Sequence, residues 1–414
     1  MSRSVGIAVT PRQLDPSGLA GHLARNYGAA FQRLGLTPVY GDLGSPDEAG
    51  LRRLLAPDVD LLFSHGGWLY SDWQALGAQG GALARQANKP SIVLVADPTF
   101  SPWMPPMLAA LPGRAMPFFI DPSFAEGVGP WIASGAHAPY LPCRHTLEEP
   151  GFGQHGPVPT AEKTIPGLFV GTAGDPREIY DRLKESPDFD QVAKPIIERS
   201  LDDPFWPLAY VAKEVFRTLG IPFDLSRETV RARLIGIDQF IRLERRARML
   251  QALCRHDVHI VAQGVLHLPR QRRATLLDAV DFPGMLELLR RTKVLYVCQP
   301  HYPGALNERI VFAMQARALV VATPNGRTRQ CFEHGRHLFL TAPDLSDLDR
   351  WVAAAADETA AEPMRDAALQ RIADGFAPED NIRYMLGRMR AAGLVDGGIA
   401  AEIGPQSGPQ SGPA

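Results

Sequence analysis

The loop His301-Tyr302-Pro303-Gly304-Ala305-Leu306-Asn307-Glu308-Arg309 carries residue types that suit a phosphorylated ligand. Gly304 lets backbone approach a ligand closely. Asn307 is a good helix N-cap, and the free amides behind it, with the helix dipole, form a ready anion site. Arg309, in the first turn, can fork onto a phosphate, with Glu308 beside it. The plainer reading of this loop is an Asn cap followed by an exposed Arg. A second candidate is Gly171-Thr172-Ala173-Gly174, where small residues permit a tight turn against a diphosphate or sugar. A simple strand-to-helix turn has the same spacing. Ser64-His65-Gly66-Gly67-Trp68 and Asp97-Pro98 supply acid–base types. His65 is a candidate general base or hydroxyl ligand because imidazole titrates near neutrality, and Asp97 can serve likewise. Gln263-Gly264 can meet a base edge.

These candidates share a position: each follows a predicted strand. In the first half, apolar runs at Ser4–Val9, Thr37–Tyr40, Val59–Ser64, Ser91–Ala96 and Met116–Ile120 alternate with helical patterns at 17–34, 46–55 and 71–86. Ser17 is placed to cap the first helix and Gly35 to stop it. In the second half, Gly167–Gly171, Val258–Ala262, Val294–Cys298 and Leu319–Ala322 read as strands, with a weaker one at Ala279–Phe282. Helices are expected at Gly284–Arg291, Asn307–Gln315, 344–355, 363–374 and 379–390. A long helical region fills 176–254. Strands spaced by helices imply right-handed βαβ units and a parallel sheet. In such sheets ligands bind beyond the carboxyl ends of the strands.

The alternation predicts two α/β domains. The first covers residues 1–142, a Gly- and Pro-rich linker covers 143–166, and the second covers 167–395 with a helical insertion at 176–254. Two domains joined this way create a cleft. The tail 396–414 repeats Gly-Pro-Gln-Ser and is expected to be disordered. Gly151-Phe152-Gly153-Gln154-His155-Gly156 matches the dinucleotide fingerprint letter for letter, but no strand precedes it and Pro157 follows it. It reads as connector.

Composition narrows the function classes. The chain has 414 residues and a net charge of −2, so no global basic field favours a nucleic-acid backbone. Cys143, Cys254, Cys298 and Cys331 form no C-x-x-C pair and have no ligand-spaced His, which signals neither a metal site nor a disulfide framework. Reduced thiols, no signal peptide and no membrane-length apolar run fit a cytoplasmic protein. Arg242, Arg245, Arg246 and Arg248 make a basic helical segment, read first as a solvated face, with one of them lining a nucleotide cleft as the minority reading.

The stretch from Asp281 through Val297 and Gly304-Ala305-Leu306-Asn307-Glu308-Arg309-Ile310-Val311-Phe312-Ala313-Met314 to Val321 resembles the C-terminal part of CgeB-like bacterial glycosyltransferases. Phe332–Leu338, Leu168–Thr172 and Ile237–Arg242 are similar to other blocks of that family, and the likeness covers most of 165–345. The first domain resembles it only through Lys89-Pro90 and Asp97-Pro98. The resemblance implies a GT-B fold: two Rossmann-like domains whose parallel sheets face a central cleft, acceptor side first and nucleotide-sugar side second. It implies metal-independent transfer of a hexosyl or related group, with a nucleoside-diphosphate sugar as co-substrate and no cofactor. Donor contacts would then fall on Gly171, Thr172, Gln263, Gly304, Asn307, Glu308 and Arg309, and acid–base work on His65 and Asp97. The acceptor is a glycan, protein or small molecule; neither nucleic acid nor an integral membrane segment is expected. Many relatives carry Glu-x7-Glu where this chain has Gly304 and Phe312, and a small Gly where it has Arg317. That departure keeps open a non-catalytic nucleotide- or sugar-binding protein of the same fold.

Overall fold

The computed structural model describes residues 3–10, 18–43, 49–66, 68–70, 80–125, 131–132, 158–264, 268–269, 271–299 and 302–396. The chain divides into two compact units, 1–149 with 376–414, and 150–375. The fingerprint look-alike at 151–156, nearly all of the repeat tail and the expected cap Ser17 lie outside the described residues.

In the first unit, β1 (Ser4–Val9), β2 (Thr37–Asp42), β3 (Leu61–His65), β4 (Ser91–Val95) and β5 (Ala115–Phe119) form a parallel sheet of order β2-β1-β3-β4-β5. Helices α1 (Leu19–Arg33), α2 (Ala49–Leu54), α3 (Gly80–Ala87) and α4 (Met104–Ala109) connect the strands. β4 and β5 are buried along their whole length, as a parallel sheet covered on both faces requires. Tyr27 and Phe31 of α1 pack on Phe63 of β3, with ring centroids 4.7 and 5.7 Å away. Gly35, at φ +86°, ends the first helical segment as expected.

The second unit holds β6 (Ile165–Thr172), β7 (His259–Gln263), β8 (Thr275–Leu277), β9 (Thr292–Val297), β10 (Leu319–Ala322) and β11 (Phe339–Leu340). They too are parallel, in the order β11-β10-β9-β6-β7-β8. The helical insertion between β6 and β7 consists of α5 (Pro176–Lys184), α6 (Lys194–Asp202), α7 (Leu208–Thr218) and α8 (Glu228–Leu253). Then come α9 (Phe282–Arg290), α10 (Glu308–Gln315), α11 (Gly326–Cys331), α12 (Leu348–Ala356) and α13 (Glu358–Gly375). In both sheets the strand order reverses direction once, between β1 and β3 in the first and between β6 and β9 in the second. Such switch points leave a crevice at the carboxyl ends.

Three expectations differ from the structure. The weak strand lies at Thr275–Leu277 and not at Ala279–Phe282. The side chain of Asp281 accepts a hydrogen bond from Gly284 N at 3.1 Å, which caps α9 and makes Phe282 helical. The linker ends earlier than residue 166. Residues 160–162 form a 3-10 turn, and Lys163 is buried in the second unit, donating to the carbonyls of Arg290, Thr292 and Ala316 at 3.1, 2.9 and 2.7 Å. Finally, α14 (Pro378–Ala391) belongs to the first unit rather than the second. Its Ile382, Met385, Leu386 and Met389 join Val5, Ile7, Tyr27 and Phe118 in one core. Burial of side chains of this size contributes about 1.5–3 kcal/mol each. Asn381 Nδ2 also donates to the Tyr27 hydroxyl at 3.0 Å.

Burial, reinforced by Arg365 and Arg317, pulls the Lys163 pKa down to about 7. An unfolded lysine keeps its proton to a higher pH, so between the two values the unfolded chain binds more protons and stability rises with pH. Lys163→Met removes the donor from three carbonyls and should lower stability by about 2–5 kcal/mol. The wild-type advantage over this variant should widen as pH rises from 7 toward 10, by at most about 1.4 kcal/mol per unit. Urea unfolding at several pH values measures both.

Candidate functional site

β6 ends at Thr172, on the switch-point side of its sheet. Two guanidiniums close on its last carbonyls. Arg309, from the first turn of α10, donates through Nη1 to Val170 O at 2.7 Å. Arg246, from α8, donates through Nη1 to Thr172 O at 3.1 Å. Arg242 lies one helical turn before Arg246. It is anchored at 3.0 Å on the buried carboxylate of Asp238 and donates to the Tyr302 hydroxyl at 3.3 Å. Arg245 turns the other way and donates to Ser200 O on α6. Burial lowers the pKa of Arg246; Cys298 opposes this, while the neighbouring Arg309 and Arg242 charges add to it. Burial raises that of the Cys298 thiol at the end of β9, against the pull of Arg246 and Arg245. The Arg309 and Arg242 side chains stay about 27% and 32% exposed, so the cluster is open to solvent. Arg309 has only Glu308, at 3.9 Å, as a carboxylate partner among the described residues. The Arg309 and Arg242 charges repel that of Arg246, and an anion among them would lower that repulsion.

Helix α10 aims at the same place. Asn307 caps it, its side chain accepting from Arg309 N at 3.0 Å. The loop before the cap is held from below by Asn325, only 1% exposed. Its Nδ2 donates to Ala305 O at 2.8 Å, Gln299 Oε1 at 3.2 Å and Tyr302 O at 3.3 Å, while Oδ1 accepts from Thr328 N at 2.7 Å and caps α11. Gln299 completes the network through Thr323 and Thr328. Gly304 sits in this braced loop, partly exposed; His301 lies outside the described residues.

The remaining donor-side candidates line the β6–β7 edge. Thr172 pairs with Gln263 in register, both exposed, and Ala173 N donates to Gln263 O at 2.8 Å. Gly264 has φ +108°, and a Cβ there would stand 2.2 Å from Ala173 O, so only Gly fits. Gly171 is buried; a Cβ would crowd the Phe169 ring at 3.1 Å. In the first unit, His65 is the last residue of β3 and Asp97 follows the end of β4 by two residues. The strands are neighbours, with His65 level with Leu94, so both side chains start from one edge of that sheet, each half-buried. Phe312, at one of the two positions expected to depart from the Glu-x7-Glu pattern of the resembled family, is fully buried with its ring edge-on to Phe282 at 5.7 Å. Arg317 has φ +54° and pairs with Glu362 and with Asp366, at 2.6 Å from the latter.

No protein-family model and no curated protein matches the chain. Solved structures do. An alpha-glucosyltransferase in complex with UDP-glucose and DNA containing an abasic site superimposes with a TM-score of 0.55 at 11% identity, covering 93% of this chain and all (100%) of that one. The alpha-glucosyltransferase with UDP and a 13-mer DNA gives 0.54 at 11% identity, covering 94% and 100%. A T4 phage BGT mutant in complex with UDP-glucose gives 0.50 at 9% identity, covering 95% and 99%. The chain has the GT-B fold. In this GT-B protein the donor-side candidates Thr172, Gln263, Asn307, Glu308 and Arg309 all belong to the second unit, and His65 and Asp97 to the first.

Sequence reasoning missed two parts of this arrangement. Arg242 and Arg246 read first as a solvated face, with a cleft-lining arginine only as the minority reading, yet the helix turns them onto the strand end; four arginines within seven residues was the available signal. The Asn325 bracket gave no signal beyond an Asn before a short helix. Because Asn325 satisfies three carbonyl-type acceptors and one amide, Asn325→Ala should destabilise the protein by about 2–4 kcal/mol. Hydrogen exchange should show faster opening at 299–309, with β1–β5 unaffected.

Proposed function

We propose that this protein is a glycosyltransferase, CgeB-like in kind, that moves a sugar from a nucleoside-diphosphate sugar to an acceptor. The observation that carries this reading is the arginine cluster Arg242, Arg246 and Arg309 beside the capped N-terminus of α10, at the switch point of the second sheet. Two negative charges on a diphosphate would balance it. In the transition state the sugar–oxygen bond breaks and charge grows on the leaving diphosphate, where preoriented guanidiniums and amide N–H groups act most strongly. This needs no metal ion. His65 or Asp97, in the first unit, would take the acceptor hydroxyl proton or orient that hydroxyl. Thr172 and Gln263 would meet the donor at the β6–β7 edge. Structures of the same fold were solved with UDP or UDP-glucose, which supports a uridine donor as the first to test.

The acceptor is a surface polysaccharide, a protein or a small metabolite, and the reaction is cytoplasmic in this reading. Among the described residues no helix is long and apolar enough to cross a membrane. A second reading has its own observation. Phe312 stands fully buried where relatives carry the second Glu, so no carboxylate from that position reaches a ribose. A nucleotide- or sugar-binding protein without transferase activity would tolerate this.

Thermal unfolding with UDP, GDP, dTDP, ADP and CMP, without metal, tests the site directly, since a ligand of the folded state raises Tm. One nucleoside diphosphate should give a clear shift. Arg309→Ala and Arg246→Ala should each weaken its binding by about tenfold or more, the scale of a lost charge-assisted hydrogen bond. Unchanged affinity in both variants removes the cluster from the site. Hydrolysis or transfer from the matching donor sugar separates the two readings: nucleotide binding with no turnover of any donor favours the non-catalytic one.

A further inference from the structure

A cavity of about 420 Å³ lies at the carboxyl end of β11, lined by Arg329, Phe332, Glu333, His334, Leu340 and Thr341. Because β9, β10 and β11 run parallel, it opens on the same end of the sheet as the arginine cluster. It is separate from it, and nothing in the proposed donor chemistry uses it. Its size falls within the range of small-molecule sites.

Thr341 is 3% exposed, and its hydroxyl has no hydrogen-bond partner among the described residues. Buried hydroxyls are nearly always paired, so an unpaired one at a cavity wall points to a ligand. His334 Nδ1 accepts from Leu340 N at 2.9 Å, so the neutral ring carries its proton on Nε2 and offers a donor. The ring is clamped edge-on against Trp351, centroids 4.8 Å apart. The Arg329 guanidinium lies over the Phe205 ring at 4.2 Å, and no carboxylate pairs with it among the described residues. Among the described residues Glu333 pairs only with exposed Arg336, at 3.3 Å, and keeps acceptor capacity. Leu340 and Phe332 supply an apolar floor.

Donors at Arg329 and His334, an acceptor at Glu333 and a hydroxyl at Thr341 surround apolar surface. A phosphate would meet the like charge of Glu333. A polyol meets all four groups, because each of its hydroxyls both gives and accepts, and its C–H face suits the floor. We propose that this cavity is a carbohydrate-binding subsite that takes one pyranose unit, apart from the nucleotide site. The wall residue Arg329 follows Thr328, which is hydrogen-bonded to Gln299 and Asn325. A sugar held there would therefore brace the same helix that braces the 299–307 loop.

Saturation-transfer NMR on the full chain, with methyl glucoside, galactoside, mannoside and N-acetylglucosaminide and their short oligomers, tests this. Inorganic phosphate is run in parallel. At least one glycoside should bind with a Kd of about 10 mM or tighter. Thr341→Val and Arg329→Ala should each weaken it by about fivefold or more, while Arg309→Ala leaves it unchanged. UDP binding should show the reverse pattern. Arg329 is exposed, so its variant stands even where Thr341→Val folds poorly. Tighter binding of oligomers assigns the unit to a glycan chain, and equal binding assigns it to a free sugar. The proposal is overturned by phosphate binding in place of any glycoside, by no glycoside binding, or by glycoside binding that is lost with Arg309→Ala and kept with Arg329→Ala. Failure of nucleotide binding with glycoside binding intact would sink the donor reading and leave this one standing.

Discussion

Like charges do not gather at the end of a strand unless rigid elements hold them there. In this protein Arg246 and Arg309 are pinned to carbonyls of one strand, and Arg242 is pinned to Asp238. The pins come from different elements: α8 spans 26 residues and approaches from the insertion, while α10 starts at the Asn307 cap. Each bond to a carbonyl uses one of a guanidinium's five N–H groups and leaves the charge uncancelled. The repulsion that remains is borne by the packing of both helices. An anion placed among the arginines would relieve it.

That arrangement contrasts with the opposite end of the same sheet. There Lys163, Arg317 and Arg365 meet Glu358 and Glu362. Arg317 and Arg365 pair with carboxylates, and Lys163 donates to carbonyls. They also hold Arg317 in a left-handed backbone conformation that costs about 1–2 kcal/mol in a non-glycine residue. One end of the sheet secures α13 through these ion pairs; the other carries the arginine cluster and lies where parallel sheets bind ligands.

Much of the architecture was legible because parallel strands buried on both faces read as apolar runs, as at Ser91–Val95 and Leu319–Ala322. The Asn307 cap was legible because capping depends on residue type and local spacing. What escaped depends on distant partners. Periodicity marks the buried stripe of α8 but not which element covers it, so Arg242 and Arg246 looked solvated. Short β8 alternates too little to stand out, and the apolar Ala279-Val280 beside it drew the start of the assignment from Thr275 to Ala279. The bracket from Asn325 to Ala305 spans twenty residues of sequence, beyond any local pattern.

The crossing of α14 back to the first unit has a temporal meaning. A ribosome emits β1 through β5 early, but Ile382, Met385, Leu386 and Met389, which complete their core, come near the end of the chain. Until then the face of α1 and the sheet that receives them stays open to water, and Tyr27 lacks the amide of Asn381. The second unit, contained within 150–375, has all of its own residues in hand first. The order of synthesis and the order of completion are therefore opposed: the half of the protein made first is the half finished last.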